Sequence, residues 1–593
     1  MELKKRSEVP EELKWDIKRL YKTEEEYLED IDNLENISKE IFSYKDNIKT
    51  SDDILEVIEK FEEFSIKKDY IYNYANLQLS VDMTDEVVIK RQQSLSNRMI
   101  KIIQNIVFLE AEILNLDEKI ILDAIEKTND YKVFLSRLLK RKEHLLSKET
   151  EKTLSRLSNT LYGNYDGYEE TKLSEMQFDD FEVDGKIYKN SYVLYENFYQ
   201  YEPNEKIRKK AFESFSKTLD SYKVTFGGYY IRHVQMEKAM ADIKGYDSVF
   251  DYLLESQEVS RELYDRQIDI IMKELSPIMQ RYNKLVKKEY NLSEMRYEDL
   301  KIPLAKDDIK KVTIEETKDY VLKALQVMGE DYVARANRAF TDRWIDYASN
   351  VGKSTGGFCS SPYKKGSFIL LSFTGVMSEV YTTIHEIGHG IHFGYASENN
   401  KCLEEECSRY MVEAPSTFNE LLLSKYLLET ADEKMEKYVL STLIEATYYH
   451  NFVTHLLEAA YQREVYKLVD NYETVTVNML SEIKKNVLQQ FFGDDVIIDD
   501  YAALTWMRQP HYYMGLYSYT YSAGLTVSTS MIHRLNENKE NAKDWINFLK
   551  AGGKYAPVEH AKVAGIDIST DKPLKETIKY LDGIVTRLEE LCK

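Results

Sequence analysis

His385-Glu386-Ile387-Gly388-His389 is the stretch that most constrains what this chain can become. On a helix of 3.6 residues per turn, histidines four apart share one face, and two imidazoles so stacked can bind one zinc ion from the same side. Glu386 is rotated about 100° from His385, so its carboxylate falls beside the metal's open position rather than on the metal. There it can take a proton from a zinc-bound water, whose pKa the metal lowers towards ~7. A chance H-E-x-x-H on a solvated helix is the bland alternative. The flanking Val380, Tyr381, Ile384, Ile387, Gly388 and Ile391 argue against it, because they make the helix apolar or small and therefore buried.

A catalytic zinc needs a third protein ligand and one open position. His392 stands only three residues beyond His389 and would have to bend back across the same turn, so it reads as packed or supporting. Glu413, 24 residues after His389, leaves room for a loop and a returning helix. Pro415 suits a first helical turn, so that helix is expected to begin near Glu413. Glu420 lies two turns further on the same face. It is placed to accept a hydrogen bond from a liganding histidine and fix its tautomer, with a solvated carboxylate as the alternative.

Two further stretches bear on chemistry. Gly356-Gly357-Phe358-Cys359 and Phe368 to Phe373 read as two strands with a turn at Tyr363 to Gly366. A strand edge just ahead of the zinc helix could pair with an extended main chain, so Gly356, Gly357 and Phe358 are candidate binding residues. An ordinary hairpin is the alternative. Cys359 has no base nearby in sequence and reads as a buried cysteine. His450 and His455, five apart, suit hydrogen bonding better than a second metal site. The segment from Trp506 to Tyr521 crowds His511, Tyr512, Tyr513, Tyr517, Tyr519 and Tyr521 into 11 residues. Buried phenols need partners, and phenol and imidazole donors can stabilise an oxyanion. Tyr513, Tyr517 and Tyr521 also fit one packed helical stripe, and Gly515 could let the loop carrying His511 and Tyr512 move.

The H-E-I-G-H helix, the Glu413-Ala414-Pro415-Ser416-Thr417-Phe418-Asn419-Glu420 segment and the distal His-Tyr cluster together resemble the M3 zinc peptidases. Oligoendopeptidase F is the nearest likeness and thimet oligopeptidase a more distant one. Ala414-Pro415 has the thimet character, and Ser416 to Glu420 that of oligoendopeptidase F. The resemblance runs from about Gly352 to Gly524. It implies a mostly α fold of two helical lobes around a deep substrate channel, with small β elements near the zinc. It also implies an endopeptidase for short peptides, the narrow channel excluding folded proteins. Residue by residue, His511 matches the family's histidine opposite the zinc, and Tyr519, then Tyr517, matches its tyrosine donor.

The rest of the chain sets the frame. At 593 residues it should form more than one lobe. From Glu11 to about Thr171 amphipathic helices follow one another, and Asp184-Gly185 marks a tight hairpin. The lobe boundary is placed just after, dividing residues 1–195, an N-terminal helical lobe, from 196–593, the catalytic region. Helices resume at Asn204, and Leu292 to Asp308 reads as a connector. The formal charge of −22 argues against nucleic-acid and anionic-membrane partners. Four cysteines make no disulfide framework, and neither a signal peptide nor a membrane span is apparent, so a soluble cytoplasmic protein is expected.

The residues give a zinc hydrolase with one zinc per chain held by His385, His389 and Glu413, and the resemblance implies that it is an endopeptidase. Glu386 is the base, Glu420 supports a ligand, His511 and Tyr519 or Tyr517 are oxyanion donors, and Gly356, Gly357, Phe358 and Tyr512 bind substrate. The partners are short peptides, and the oligomeric state is left open. Two rivals stand beside this reading. One is a zinc carboxypeptidase or dipeptidyl carboxypeptidase, with Arg508 on the substrate's C-terminus. The other is a non-catalytic peptide-binding scaffold, which would have no use for Glu386.

Overall fold

The structure is a computed structural model and describes residues 4–305, 311–354 and 356–593. Local signals start its helices where the sequence places them. Helix α1 (Glu24–Phe42) opens on Thr23, whose hydroxyl accepts from the Glu26 amide. Helix α2 (Ser51–Val81) opens on a reciprocal Thr50–Asp53 cap. Ile31, Leu34 and Ile41 of α1, and Ile54, Val57 and Ile58 of α2, recur at helical spacing and are buried in one core. Strands β1 (Phe181–Val183) and β2 (Lys186–Tyr188) form the expected hairpin. Its two turn residues, Asp184 and Gly185, adopt φ of 51° and 82°, the left-handed conformation a two-residue turn requires. Helix α3 (Glu205–Ile243) follows, capped by Asn204. Residues 306–308 of the expected connector lie outside the described residues; ahead of them Asp299 is buried against Arg208, Nε to Oδ1 2.8 Å.

The small sheet has three strands rather than two: β3 (Ile345–Asp346), β4 (Phe358–Ser360) and β5 (Phe368–Leu370), in the order β3-β5-β4. β3 runs parallel to β5, and β4 antiparallel to it. Two residues carry no readable periodicity, which is why the sequence conceals β3. Strand alternation gives β5 a particular place. Phe368 and Leu370 enter the core built by Trp15 to Leu138, whereas Ile369 and Leu371 enter the second core, built by Tyr168 to Leu588. The strand is therefore the seam between two helical lobes. Asp346 of β3 is fully buried between Arg6 and Lys353, its Oδ1 2.7 Å from Lys353 Nζ, so the N-terminal segment is strapped to the catalytic half by charge.

Beyond the sheet come α4 (Met377–Asn399), α5 (Ala414–Leu428), a π-helical run at Leu443–Thr454, α6 (His455–Asp470), α7 (Val477–Phe492) and α8 (Thr520–Glu537). α5 lies between α4 and α8, and glycines make both approaches close. A Cβ on Gly388 of α4 would stand 2.7 Å from the Pro415 carbonyl oxygen and Ser416 Cα. One on Gly524 of α8 would stand 3.0 Å from Glu413 Cβ and the Ala414 nitrogen. The start of α5 is thus clamped from both sides at the residue expected to bind metal. No helix among the described residues is long and apolar enough to cross a membrane.

Candidate active site

α4 presents His385 and His389 on one face, and Glu413 is the N-cap of α5, with Pro415 in the first turn. The Glu413 Oε2 atom is 3.5 Å from Nε2 of His385 and 3.5 Å from Nε2 of His389. Two donors about 2.0–2.1 Å from a tetrahedral zinc stand about 3.4 Å apart, so this spacing fits a shared metal and is long for a hydrogen bond. Nδ1 of His385 lies 2.6 Å from Glu420 Oε1, and Thr447 Oγ1 donates to Glu420 Oε2 at 2.6 Å. Glu420 is therefore fixed by the π-helical run and in turn fixes the His385 ring. The matching Nδ1 of His389 is buried with no partner among the described residues, so of the two histidines His385 alone is seen oriented by a carboxylate there.

Electrostatics in the metal-free cluster are mutually supporting. Burial alone would lower the His385 pKa, but the Glu420 hydrogen bond and the charges of Glu420, Glu386 and Glu413 push it up to about 10. Burial would raise the Glu413 carboxyl, yet His389 and His385 hold it below the usual carboxylate range. Glu386 is 6% exposed. Burial first, then Glu413 and Glu420, raise its pKa against the opposing pull of His385 and His389. His392 does not join the group. It is fully buried against Phe393, with both ring nitrogens unpartnered, and burial lowers its pKa to about 3.

Edge strand β4 meets this cluster at its start. A Cβ on Gly357 would be 3.4 Å from Glu386 Oε1, so a side chain there would crowd the candidate base. Gly356, at φ 84°, is exposed. Phe358 is half-buried and packs on Trp15, with ring centroids 6.3 Å apart. Burial, with Glu386 nearby, pushes the Cys359 thiol up to about 12, which is not the state of a nucleophile.

The aromatic segment departs from its expected arrangement. Pro510–Tyr513 is a short 3-10 turn, and α8 starts only at Thr520, so Tyr513, Tyr517 and Tyr521 form no single stripe. Tyr513 packs on Tyr168, whereas Tyr517 and Tyr521 lie together with ring centroids 5.3 Å apart. Both feel the negative charge of Glu413, and Gly524, one turn beyond Tyr521 on α8, packs against that residue. Tyr519 points elsewhere. It is fully buried, lies edge-on to Tyr264, and donates to Gln257 Oε1 at 2.7 Å. Two residues along a helix is about 200° of rotation, so Tyr519 and Tyr521 cannot face the same way. Tyr512 is also buried, against Tyr230 and Tyr461. His511 keeps 18% exposure beside Tyr517 and Tyr521, with centroids at 5.5 and 5.7 Å. Arg508 is buried and neutralised by Glu196, 3.0 Å away, and is not available for a substrate carboxylate. Sequence reasoning did not single out Tyr521 from the tyrosines of 512–521, although its i, i+4 relation to Tyr517 was visible. It also missed Thr447 and Glu458, which no motif marks.

Two histidines on one helix, a carboxylate opening the next, and a buried glutamate between the histidines define a helical metallohydrolase. Comparison with known proteins agrees. The description "Peptidase family M3" matches residues 198–580, and "Oligopeptidase F" matches 112–178. The chain is 27% identical to the oligopeptidase PepF of Bacillus subtilis, covering 100% of this chain and 89% of that one. It is 28% identical to an oligoendopeptidase F homolog of Borreliella burgdorferi, over 99% of both. The solved oligoendopeptidase-F of Enterococcus faecium superposes with a TM-score of 0.74 at 22% identity, covering 96% of this chain and 98% of that one, and so shares its fold. The chain belongs to peptidase family M3.

Proposed function

We propose that this protein is a zinc-dependent endopeptidase that cleaves internal bonds of short, unstructured peptides, with one zinc per chain. The observation that carries the reading is the convergence of His385, His389 and Glu413 donor atoms beside Glu386, itself against Gly357, the residue that leads into edge strand β4. Zinc held by these three residues would supply Lewis-acid polarisation of the scissile carbonyl and of water. The chain's own residues do the rest. Glu386, whose proton affinity burial raises, takes a proton from the attacking water and returns it to the leaving amine. β4 offers main-chain pairing that suits any extended peptide. Tyr517, Tyr521 and His511 are the groups placed to donate to the oxyanion; we assign that role to them and not to Tyr519. Substrate contact is kept for Gly356, Gly357 and Phe358 and withdrawn from Tyr512.

A cytoplasmic location belongs to the same proposal, supported by four free cysteines; the lobe division is proposed ahead of Tyr168 rather than at 195/196, because Tyr168, Phe181 and Tyr195 pack in the second core. Neither a nucleic-acid nor a membrane partner is part of it. The carboxypeptidase alternative loses its anchor because Arg508 is engaged by Glu196. The test is digestion of a mixed peptide library, read by mass spectrometry beside a metal assay, with C-terminally amidated peptides and a folded protein carrying a cleaved sequence. Internal cleavage, indifferent to amidation and absent from the folded protein, is expected. Release of C-terminal dipeptides that amidation abolishes would overturn the endopeptidase reading.

A further inference from the structure

Behind His511 lies a second group of titratable side chains that the chemistry above does not use. Glu458, on the first turn of α6, is 2% exposed. Its Oε2 is 2.8 Å from Nδ1 of His455, accepts from Ser518 Oγ at 3.3 Å, and lies 3.6 Å from Nδ1 of His511. Nε2 of His455 meets Nε2 of His450 at 3.0 Å, so both nitrogens of His455 are occupied. Nδ1 of His511 is buried and has no hydrogen-bond partner among the described residues, with the Glu458 carboxylate just beyond that range. The 3.6 Å gap exceeds a hydrogen bond, as is common for such pairs before substrate binds.

Resting on the assignment of His511 as an oxyanion donor, we infer that Glu458 is a positioning residue which holds His511 through Nδ1–H and so leaves Nε2 aimed at the substrate. An imidazole that gives its Nδ1 proton to a carboxylate can offer a second proton from Nε2 only as the imidazolium. A positive charge on this half-buried ring would need a neighbouring negative charge, and Glu458 is the carboxylate beside it. The carboxylate is suited to remain ionised. Burial would raise its pKa, but His455 and His511 drive it far below the ordinary range. Lys301 and Lys484 face the same carboxylate at longer range, as do Tyr512 and Tyr521. His455 and Ser518 fix its orientation, and the π-helical run brings His450 behind them.

The test is a double-mutant cycle of Glu458→Gln and His511→Ala on the zinc-loaded full chain. It is read by kcat, KM, zinc content, thermal unfolding and affinity for a phosphinic peptide that mimics the tetrahedral species. Glu458→Gln alone should lower kcat about 10- to 100-fold, the weight of one hydrogen bond to a charged group. It should weaken the phosphinic peptide by the same factor and leave KM and zinc content unchanged. In the His511→Ala background it should have no further effect. Additive losses, or a loss confined to KM, zinc content or unfolding, would overturn the inference. Unimpaired turnover in His511→Ala alone would instead overturn the donor assignment beneath it. Should Glu458→Gln fail to fold, Ser518→Ala, which removes only a support of the carboxylate, must show the same pattern at a smaller size, and its absence counts against the inference.

Discussion

Among the described residues stand two clusters of two histidines and one glutamate, and their donor atoms are spaced differently. In the His385, His389 and Glu413 cluster the carboxylate oxygen is 3.5 Å from both imidazole nitrogens. In the His455, Glu458 and His511 cluster it is 2.8 Å from one and 3.6 Å from the other. The first spacing leaves the lone pairs converging on a common point. The second puts a proton between carboxylate and imidazole, and His455 spends its other nitrogen on His450. Residue types alone therefore do not make a metal site. What decides is whether each member keeps a donor atom free for a common point, and His455, with both nitrogens engaged, keeps none.

The sharpest way to break this contrast is to remove a histidine from each cluster. His389→Ala should abolish zinc retention and activity together, whereas His455→Ala should keep its zinc, as read by metal content after gel filtration. Loss of zinc from His455→Ala would merge the two clusters into one binuclear site. Next in size is Glu386→Gln, expected to lower kcat by on the order of 10²–10⁴ while zinc stays bound, because this carboxylate moves a proton and ligates nothing. Near-normal turnover in that variant would sink the mechanism.

Phenol removal sharpens the comparison on the donor side. Tyr517→Phe and Tyr521→Phe should each lower kcat by up to about 10²–10³ with little change in KM. Tyr519→Phe should instead cost about 1 kcal/mol of stability through its lost bond to Gln257, with kcat nearly intact. The reverse ranking would restore Tyr519 to the site. The smallest effect concerns protons. With its pKa at about 10, metal-free His385 carries a proton at pH 7, on Nε2 as well as on the Nδ1 that faces Glu420. Binding a metal through Nε2 must expel one. Zinc affinity should therefore rise up to about tenfold per pH unit from this group between pH 7 and 9, with one proton released in calorimetry across buffers of different ionisation heat. A pH-independent affinity would mean that the ring is already neutral.

Much of this site was legible in one dimension. Spacing of four on a helix settles that His385 and His389 share a face, Pro415 settles where α5 starts, and a seven-residue step settles that Glu420 follows Glu413 on the same side. Asp184-Gly185 likewise determined its own turn, because its conformation is a property of two residues. These are local rules, and the chain obeys them wherever it folds.

What lay beyond them was decided by contacts between elements far apart in sequence. The two-residue strand β3 exists only because β5 is there to pair with it, and β5 divides its side chains between two cores that no periodicity announces. Tyr519 and Tyr521 are indistinguishable as residue types. Which of them reaches Glu413 depended on where α8 begins and on Gly524 letting that helix close on α5. Glu458 carries no motif, and its place beside His511 results from α6 packing against the loop that precedes α8. Sequence alone determined the donors that share one helix turn. Tertiary structure decided the partners that had to be brought across a lobe, because a side chain's direction relative to a distant element depends on helix start, crossing angle and close approach.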